Sequence, residues 1–244
     1  MSSAMPGSFA TKISLISKRK GSRLVLALDV SGEDGVETLK GISDRLKDYL
    51  VGIKLGIPFL LTTPLKDLRK ALEDRSDDFV FIADAKLADV SHVNALTFEI
   101  LFRSGIDAVI SHGFIGREGG LDGAKEAAVR LGKGILVLVS MSHKGSERII
   151  DKALTDIINE AISLDPDGII APATRPSVLA EVRRKIPSGM LIISPGVGAQ
   201  GAPFGSAIRA GADYEIVGRA IYASQDPVIA VREAVEEQRK ALRG

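Results

Sequence analysis

The sequence predicts an α/β protein that folds as a single-domain (β/α)8 barrel, also called a TIM barrel. Short apolar runs rich in β-branched residues recur about eight times in 244 residues, and a longer amphipathic stretch follows each run. The runs are nearly continuous instead of alternating, which is typical of parallel strands buried on both faces. The connections are short, and the chain length suits one barrel of eight such units.

The predicted strands are the short apolar runs. They cover residues 23–29, 50–56, 79–86, 107–112, 134–140, 167–172, 190–196 and 214–218. Apolar residues at three-to-four spacing between these runs indicate helices with one buried face. The predicted helices cover residues 33–48, 64–75, 91–104, 117–131, 146–163, 174–185 and 226–242, with a shorter one at 203–211.

The domain organisation follows from this pattern. Residues 1–22 precede the first strand and are expected to be a lead-in segment, with a solvated basic run at 18–20. Residues 23–244 are expected to form the catalytic barrel. A doubly wound open sheet is the alternative fold, but the stretch LALDVSGEDG after the first strand lacks the G-x-G-x-x-G pattern of that class.

Composition limits the possible functions. The 32 basic and 31 acidic residues give a net charge of +1, which argues against binding nucleic acid or an anionic membrane through bulk charge. The sequence contains no cysteine, which excludes thiolate chemistry, and its three histidines argue against a histidine-rich metal centre. No apolar run approaches the roughly 20 residues of a membrane span, and the N-terminal stretch lacks the order of a signal peptide. A cytoplasmic protein is therefore expected.

Polar residues follow the predicted strands where each strand ends, which is where barrels of this class build their active sites. The first three strand ends carry Asp29, Lys54, Asp84, Lys86 and Asp89. Asp84 and Lys86 are two residues apart on a strand and are expected to face the same side. The two lysines and the last two aspartates sum to zero charge, which predicts an alternating array. A purely structural ion-pair network is the other interpretation.

This array constrains the chemistry. Lys86 between carboxylates should stay protonated and act as a proton donor, whereas a Schiff-base lysine needs a lowered pKa. Lys54 and Lys86 would compete with Mg²⁺ for the same carboxylates, so a metal site is disfavoured.

The last two strand ends indicate a phosphate site. The glycine-rich stretch PGVGAQG at 195–201 allows backbone N–H groups to converge on an anion, and the eighth strand ends in Gly218 and Arg219. Ser142 is a candidate for binding a heterocycle, and Asp29 is a candidate either for binding a ribose hydroxyl or for capping a helix. His112 and His143 are expected to be structural.

Six motifs together resemble the orotidine 5′-monophosphate decarboxylase family, and most of all its short archaeal form. In chain order they are LALD, IKLG, DAKLAD, MSHKG, PGVGAQG and VGRAIY. The resemblance covers roughly residues 23–232. D-x-K-x-x-D alone marks only a wider suprafamily, whereas the joint set is specific.

The resemblance implies that orotidylate is converted to uridylate and CO₂, the last step of de novo UMP synthesis, without metal or organic cofactor. It implies a homodimer in which Asp89 reaches the partner's site. Lys86 would stabilise the C6 carbanion and then protonate it. The residues implied for the charged tetrad are Lys54, Asp84, Lys86 and Asp89. Those implied for substrate binding are Asp29 and Lys54 (ribose), Ser142 (pyrimidine edge), Gln200 (pyrimidine and phosphate), Arg219 with backbone amides near Gly198, Gln200 and Gly218 (phosphate), and Pro195.

One stretch departs from the family pattern. Ser91 stands where the family usually has proline, and Val93 replaces a threonine whose hydroxyl would reach the partner's ribose. Two alternative functions remain at this point. Magnesium-dependent sugar-phosphate decarboxylases or synthases of the same suprafamily carry an acidic ligand where this chain has Lys54. A non-catalytic nucleotide-binding barrel is the other alternative, since a fold does not imply a function.

Overall fold

Eight parallel strands in chain order close into a barrel, each hydrogen-bonded to the next and the eighth to the first. The structure, a computed structural model, describes residues 8–32 and 34–243. The predicted (β/α)8 fold is confirmed, and the doubly wound alternative is wrong. The strands are β1 Leu24–Leu28, β2 Leu50–Gly56, β3 Val80–Leu87, β4 Ala108–His112, β5 Gly134–Leu138, β6 Gly168–Ile170, β7 Leu191–Val197 and β8 Tyr214–Val217.

Helices surround the barrel. They are α1 Phe9–Lys20, α2 Gly35–Leu46, α3 Ile57–Thr62, α4 Leu65–Glu73, α5 Ser91–Arg103, α6 Asp122–Leu131, α7 Lys144–Arg148, α8 Leu154–Leu164, α9 Pro176–Lys185, α10 Ser206–Arg209, α11 Arg219–Tyr222 and α12 Pro227–Ala241. Among the described residues, no helix is long and apolar enough to cross a membrane.

Two predicted helices differ from the observed ones. The helix expected at 117–131 begins at Asp122, because Gly119 has a φ of +69° and breaks the preceding turn. The helix expected at 146–163 is divided into α7, a 3₁₀ segment at Ile150–Ala153, and α8. The short helices α3 and α11 were not predicted, because four to six residues give too little periodicity.

The N-terminal segment contains a helix that the sequence analysis did not predict. Residues 1–7 lie outside the described part of the chain. Ser8 caps the start of α1, because its hydroxyl accepts a hydrogen bond from the Thr11 N–H. Phe9, Ile13 and Ile16 are buried against inward-facing strand residues, so α1 closes the amino-terminal end of the barrel.

The basic run at the end of α1 was expected to be solvated, and this is wrong for Lys20. Its ammonium donates to the carbonyls of Leu50 and Asp78 at 2.8 and 2.6 Å. Burial lowers the pKa of Lys20 to about 8, and nearby Asp78 opposes that shift. Lys20 therefore attaches α1 to the barrel.

Candidate active site

A cavity of about 480 Å³ opens at the carboxyl ends of the strands. All but two of the predicted site residues line it, although they come from six different strand ends. They are Asp29, Lys54, Asp84, Lys86, Ser142, Pro195, Gln200, Gly218 and Arg219. The two that do not line it are Asp89 and Gly198.

The charges of the first three strands form an alternating line. Asp84 accepts hydrogen bonds from Lys54 at 2.7 Å on one carboxylate oxygen and from Lys86 at 2.7 Å on the other. Lys54 also lies 3.4 Å from Asp29. Burial raises the pKa of Asp84, but the two ammonium groups lower it further than burial raises it, so the net pKa is below its ordinary value. Asp84 is therefore ionised at neutral pH.

A bulge in β3 directs Lys86 toward Asp84. The pairing of β3 with β4 is regular at Ala83 and resumes only at Leu87, opposite Ser111. Between these positions Lys86 adopts a φ of +46°, a left-handed conformation that is rare for a residue with a Cβ. The Ser111 hydroxyl donates to the Leu87 carbonyl at 2.8 Å and holds the end of the bulge. The two side chains meet as predicted, although the backbone between them is not a regular strand.

The glycine at the end of β2 makes room for Asp29. A Cβ on Gly56 would lie 2.0 Å from a carboxylate oxygen of Asp29. Any larger residue at this position would displace that carboxylate from its place beside Lys54.

The side chains predicted to bind phosphate also line the cavity. The exposed side chains of Gln200 and Arg219 both line the cavity. Gly196 and Gly198 have φ angles of +101° and +80°, which favour glycine. The Gly198 N–H donates to the Ala202 carbonyl at 2.8 Å, so this amide is engaged within its own loop.

Asp89 lies outside the cavity of its own chain. It is exposed just before α5, and its carboxylate accepts a hydrogen bond from the Val90 N–H at 2.7 Å. Among residues 8–32 and 34–243, no hydrogen bond or ion pair joins Asp89 to Lys54, Asp84 or Lys86, the other three residues of the predicted tetrad.

The apolar floor of the cavity was not predicted from the sequence. The floor consists of inward-facing strand residues, namely Ala27, Ile110, Leu138, Ile170 and Ile216. Each floor residue occupies the last inward-facing apolar position of its strand. Strand boundaries predicted to within one residue would have identified these positions. Tyr222 of α11 also lines the cavity and was missed, because α11 was not predicted.

His112 lies at the end of β4 and packs on Phe114, with 4.7 Å between the ring centroids. Burial lowers its pKa, and the positive charge of Lys86 lowers it further. His112 is therefore a neutral neighbour of the charged line.

The comparisons with known proteins agree with this geometry. A sequence model described as the orotidine 5′-phosphate decarboxylase / HUMPS family matches residues 22–234. The chain belongs to this family. Among relatives named orotidine 5′-phosphate decarboxylase, that of Thermococcus kodakarensis is 42% identical over 88% of this chain and 96% of its own length. That of Methanosarcina mazei is 40% identical over 91% of this chain and 97% of its own.

Solved decarboxylase structures share the fold. That of Pyrococcus horikoshii matches with a TM-score of 0.76 and 36% identity, covering 88% of this chain and 99% of its own. That of Methanocaldococcus jannaschii, complexed with the inhibitor BMP, matches with a TM-score of 0.79 and 31% identity, covering 88% and 98%. The predicted resemblance to the short archaeal decarboxylases is confirmed.

The same comparisons do not favour the alternatives. The relatives above carry the decarboxylase name, and both oxygens of Asp84 are already occupied by ammonium groups, which disfavours a magnesium site there. Among the described residues, no group of three or more His, Asp or Glu side chains is arranged to hold a metal ion.

Proposed function

We propose that this chain is an orotidine 5′-monophosphate decarboxylase that forms uridylate and CO₂, with Lys86 as the proton donor. One observation carries the proposal: the buried Asp84 binds Lys54 and Lys86 at 2.7 Å each, and all three residues line a cavity of about 480 Å³. The ionised Asp84 carboxylate holds the Lys86 ammonium group in a fixed position beside the cavity.

The reaction breaks the bond between C6 and the carboxylate carbon. CO₂ leaves as a neutral molecule, and the electron pair stays on C6 as a vinyl carbanion that no π-system delocalises. The Lys86 ammonium stabilises this charge electrostatically and then transfers its proton to C6, and solvent returns a proton to the amine. The apolar floor keeps the local dielectric low, which strengthens the attraction between Lys86 and the carbanion.

The rest of the cavity holds the nucleotide in this proposal. Asp29 and Lys54 bind the ribose, Ser142 and Pro195 contact the pyrimidine, and Gln200 extends from the pyrimidine to the phosphate. Arg219 and the backbone near Gly218 bind the phosphate, a group remote from C6 whose binding energy drives closure of the 196–204 loop. The Gly198 N–H joins the phosphate site only if closure breaks its hydrogen bond to Ala202.

The first test is turnover of orotidylate, followed by its absorbance change, with and without EDTA. Turnover that EDTA does not alter supports the proposal and its metal-free chemistry. Absence of turnover, together with Mg²⁺-dependent activity on a sugar phosphate, would instead support the alternative branch of the suprafamily. Tight binding of uridylate without turnover would support a non-catalytic barrel.

The proposal includes a homodimer that shares its active sites. Val90, Leu96 and Ile100 at the start of and along α5 are 51, 61 and 43% exposed, and Asp89 stands beside them. An apolar face of this kind suits a second copy of the chain, and the copy would receive Asp89 as the fourth charge of its tetrad. The same proposal places the enzyme in the cytoplasm, the compartment expected of UMP synthesis.

Mixing two inactive variants tests the shared site. In a hybrid dimer of Lys86→Ala and Asp89→Ala subunits, one site lacks both side chains and the other has both. Reassembled mixtures are therefore expected to regain about a quarter of wild-type activity, from one intact site in half of the dimers. A mixture that stays as inactive as its components would show that Asp89 does not serve the partner's site.

A further inference from the structure

A closed ring of hydrogen bonds lies behind the cavity, between the ends of β5 and β6. Asp151, in the 3₁₀ segment Ile150–Ala153, accepts hydrogen bonds from Ser140 at 2.8 Å and from Ser146 at 3.1 Å on one oxygen. Its other oxygen pairs with the guanidinium of Arg175, which also donates to the Ser140 hydroxyl at 2.8 Å. Ser140 and Ser146 are fully buried, and the Asp151 and Arg175 side chains are only 15 and 13% exposed.

The ring reaches the backbone that forms the cavity wall. The Met141 N–H donates to the Ser146 hydroxyl at 3.0 Å, and that hydroxyl donates in turn to Asp151. Ser140, Met141 and Ser142 all line the cavity, whereas Asp151 and Arg175 do not. Asp151 is thus connected to this part of the wall at two residues, directly at Ser140 and through Ser146 at Met141.

Asp151 supplies the charge that makes the ring stable. It is the only acidic partner of Arg175 among residues 8–32 and 34–243. The Arg175 Nε is buried without a hydrogen-bond partner among the same residues, so the guanidinium depends on its contacts to Asp151 and Ser140. An unpaired guanidinium this deeply buried is costly, and the chain around it would rearrange to hydrate it.

We infer that Asp151 is a positioning residue that holds the segment Ser140–Ser142 in the place where it contacts the pyrimidine ring. The inference deepens the proposed function and rests on it, because it assigns the pyrimidine to this wall. The inference predicts different effects on binding of the base and on binding of the phosphate. Loss of Asp151 should weaken recognition of the base and leave the phosphate site, formed by β7 and β8 residues, unchanged.

The variant Asp151→Asn tests this assignment. Asparagine keeps the size of the side chain and can still accept from the two serines, but it has no charge for Arg175. The matched control is Asp156→Asn, which removes the same charge from an exposed position in the first turn of α8. Calorimetric titration with uridylate reports on base and phosphate together, and titration with ribose 5-phosphate reports on the phosphate end alone.

For Asp151→Asn we expect the Kd for uridylate to rise at least about tenfold and the Kd for ribose 5-phosphate to stay within about twofold. The control should match the wild type with both ligands. Unchanged uridylate binding overturns the inference, and so does an equal loss for both ligands, since that indicates a general structural defect. If Asp151→Asn does not fold, Ser146→Ala is the second variant. It removes the hydrogen bonds of Ser146 to Met141 and Asp151 but leaves the Asp151–Arg175 ion pair, and it should show the same selective loss to a smaller degree.

The two proposals fail differently. A wild type that neither turns over orotidylate nor binds uridylate contradicts the proposed function, and the inference with it. A wild type that does both, beside an Asp151→Asn variant with the same two dissociation constants, contradicts the inference alone.

Discussion

At the scale of single residues, the proposed chemistry depends on one lysine that has an unusual backbone conformation. Lys86 has a φ of +46° and donates to Asp84 at 2.7 Å. Left-handed conformations of residues with a Cβ persist only where surrounding contacts enforce them. Here the contacts are the ion pair on one side and the Ser111 hydrogen bond to Leu87 on the other.

Removing the Lys86 ammonium should abolish turnover without unfolding the protein. We expect Lys86→Ala to lower kcat by at least about a thousandfold, because both the carbanion stabilisation and the proton are lost. Steady-state kinetics measures the loss, and uridylate binding checks that the site is intact. Arg219→Ala is the companion variant and should mainly raise KM. Near-wild-type turnover in Lys86→Ala would contradict the role of proton donor.

Gly56 is a second residue on which the charged line depends. In Gly56→Ala the new Cβ would lie 2.0 Å from Asp29, so the carboxylate must move away from Lys54. We expect kcat/KM to fall by at least about tenfold, the equivalent of 1.4 kcal/mol in transition-state binding. Gly41→Ala in α2 is the control, since nothing lies within 4 Å of its Cβ, and it should leave the kinetics unchanged. Equal kinetics for the two variants would refute the argument.

At the scale of elements, α1 belongs to the barrel although it precedes the first strand. Its buried face contacts the inward-facing strand residues, and Lys12 pairs with Asp107 at 2.8 Å, just before β4. Asp107 also accepts a hydrogen bond from the Phe81 N–H of β3 at 2.9 Å. The Asp107 carboxylate therefore joins α1 to β3 and to the start of β4.

The packing of α1 predicts a stability difference along one helix. Ile13 is fully buried, and Ile13→Ala should lower the free energy of unfolding by about 2–5 kcal/mol. Leu15 is 61% exposed, and Leu15→Ala should change it by no more than about 0.5 kcal/mol. Denaturant unfolding of the two variants measures both values. A small loss for Ile13→Ala would show that α1 does not stabilise the barrel.

At the scale of the whole molecule, the charged centre links stability to pH. The folded-state pKa of Asp84 is lowered, so its contribution to stability is present above the unfolded value of 3.8 and is lost as pH falls through the folded value. The folded-state pKa of His112 is also lowered. Protonation of His112 therefore costs stability, because the unfolded chain binds that proton more readily than the folded protein. This cost is absent above pH 6.5 and grows as the pH falls from 6.5 toward the folded-state pKa.

Both groups predict that the free energy of unfolding falls as the solution is acidified. The His112 part should begin just below pH 6.5, and His112→Gln should remove that part while the later loss due to Asp84 remains. Denaturant unfolding at intervals from pH 7 to about pH 2 checks the order of the two losses, because the Asp84 loss begins only near pH 3.8. An identical pH profile in His112→Gln would show that this histidine is not destabilised by its surroundings.

The amino-acid sequence alone was enough to predict the fold class and most of the polar residues that line the cavity, but not its apolar floor. Strand periodicity places each strand end at one mouth of a barrel, so Lys54, Asp84, Ser142 and Arg219 could be brought together without any distance being known. The features that depend on contacts between distant segments became visible only in the folded chain. These are the packing of α1, the β3 bulge at Lys86, the space that Gly56 leaves for Asp29, and the pairing of Asp151 with Arg175. Periodicity reports only which face of an element is buried, whereas these four features depend on which partner each side chain meets.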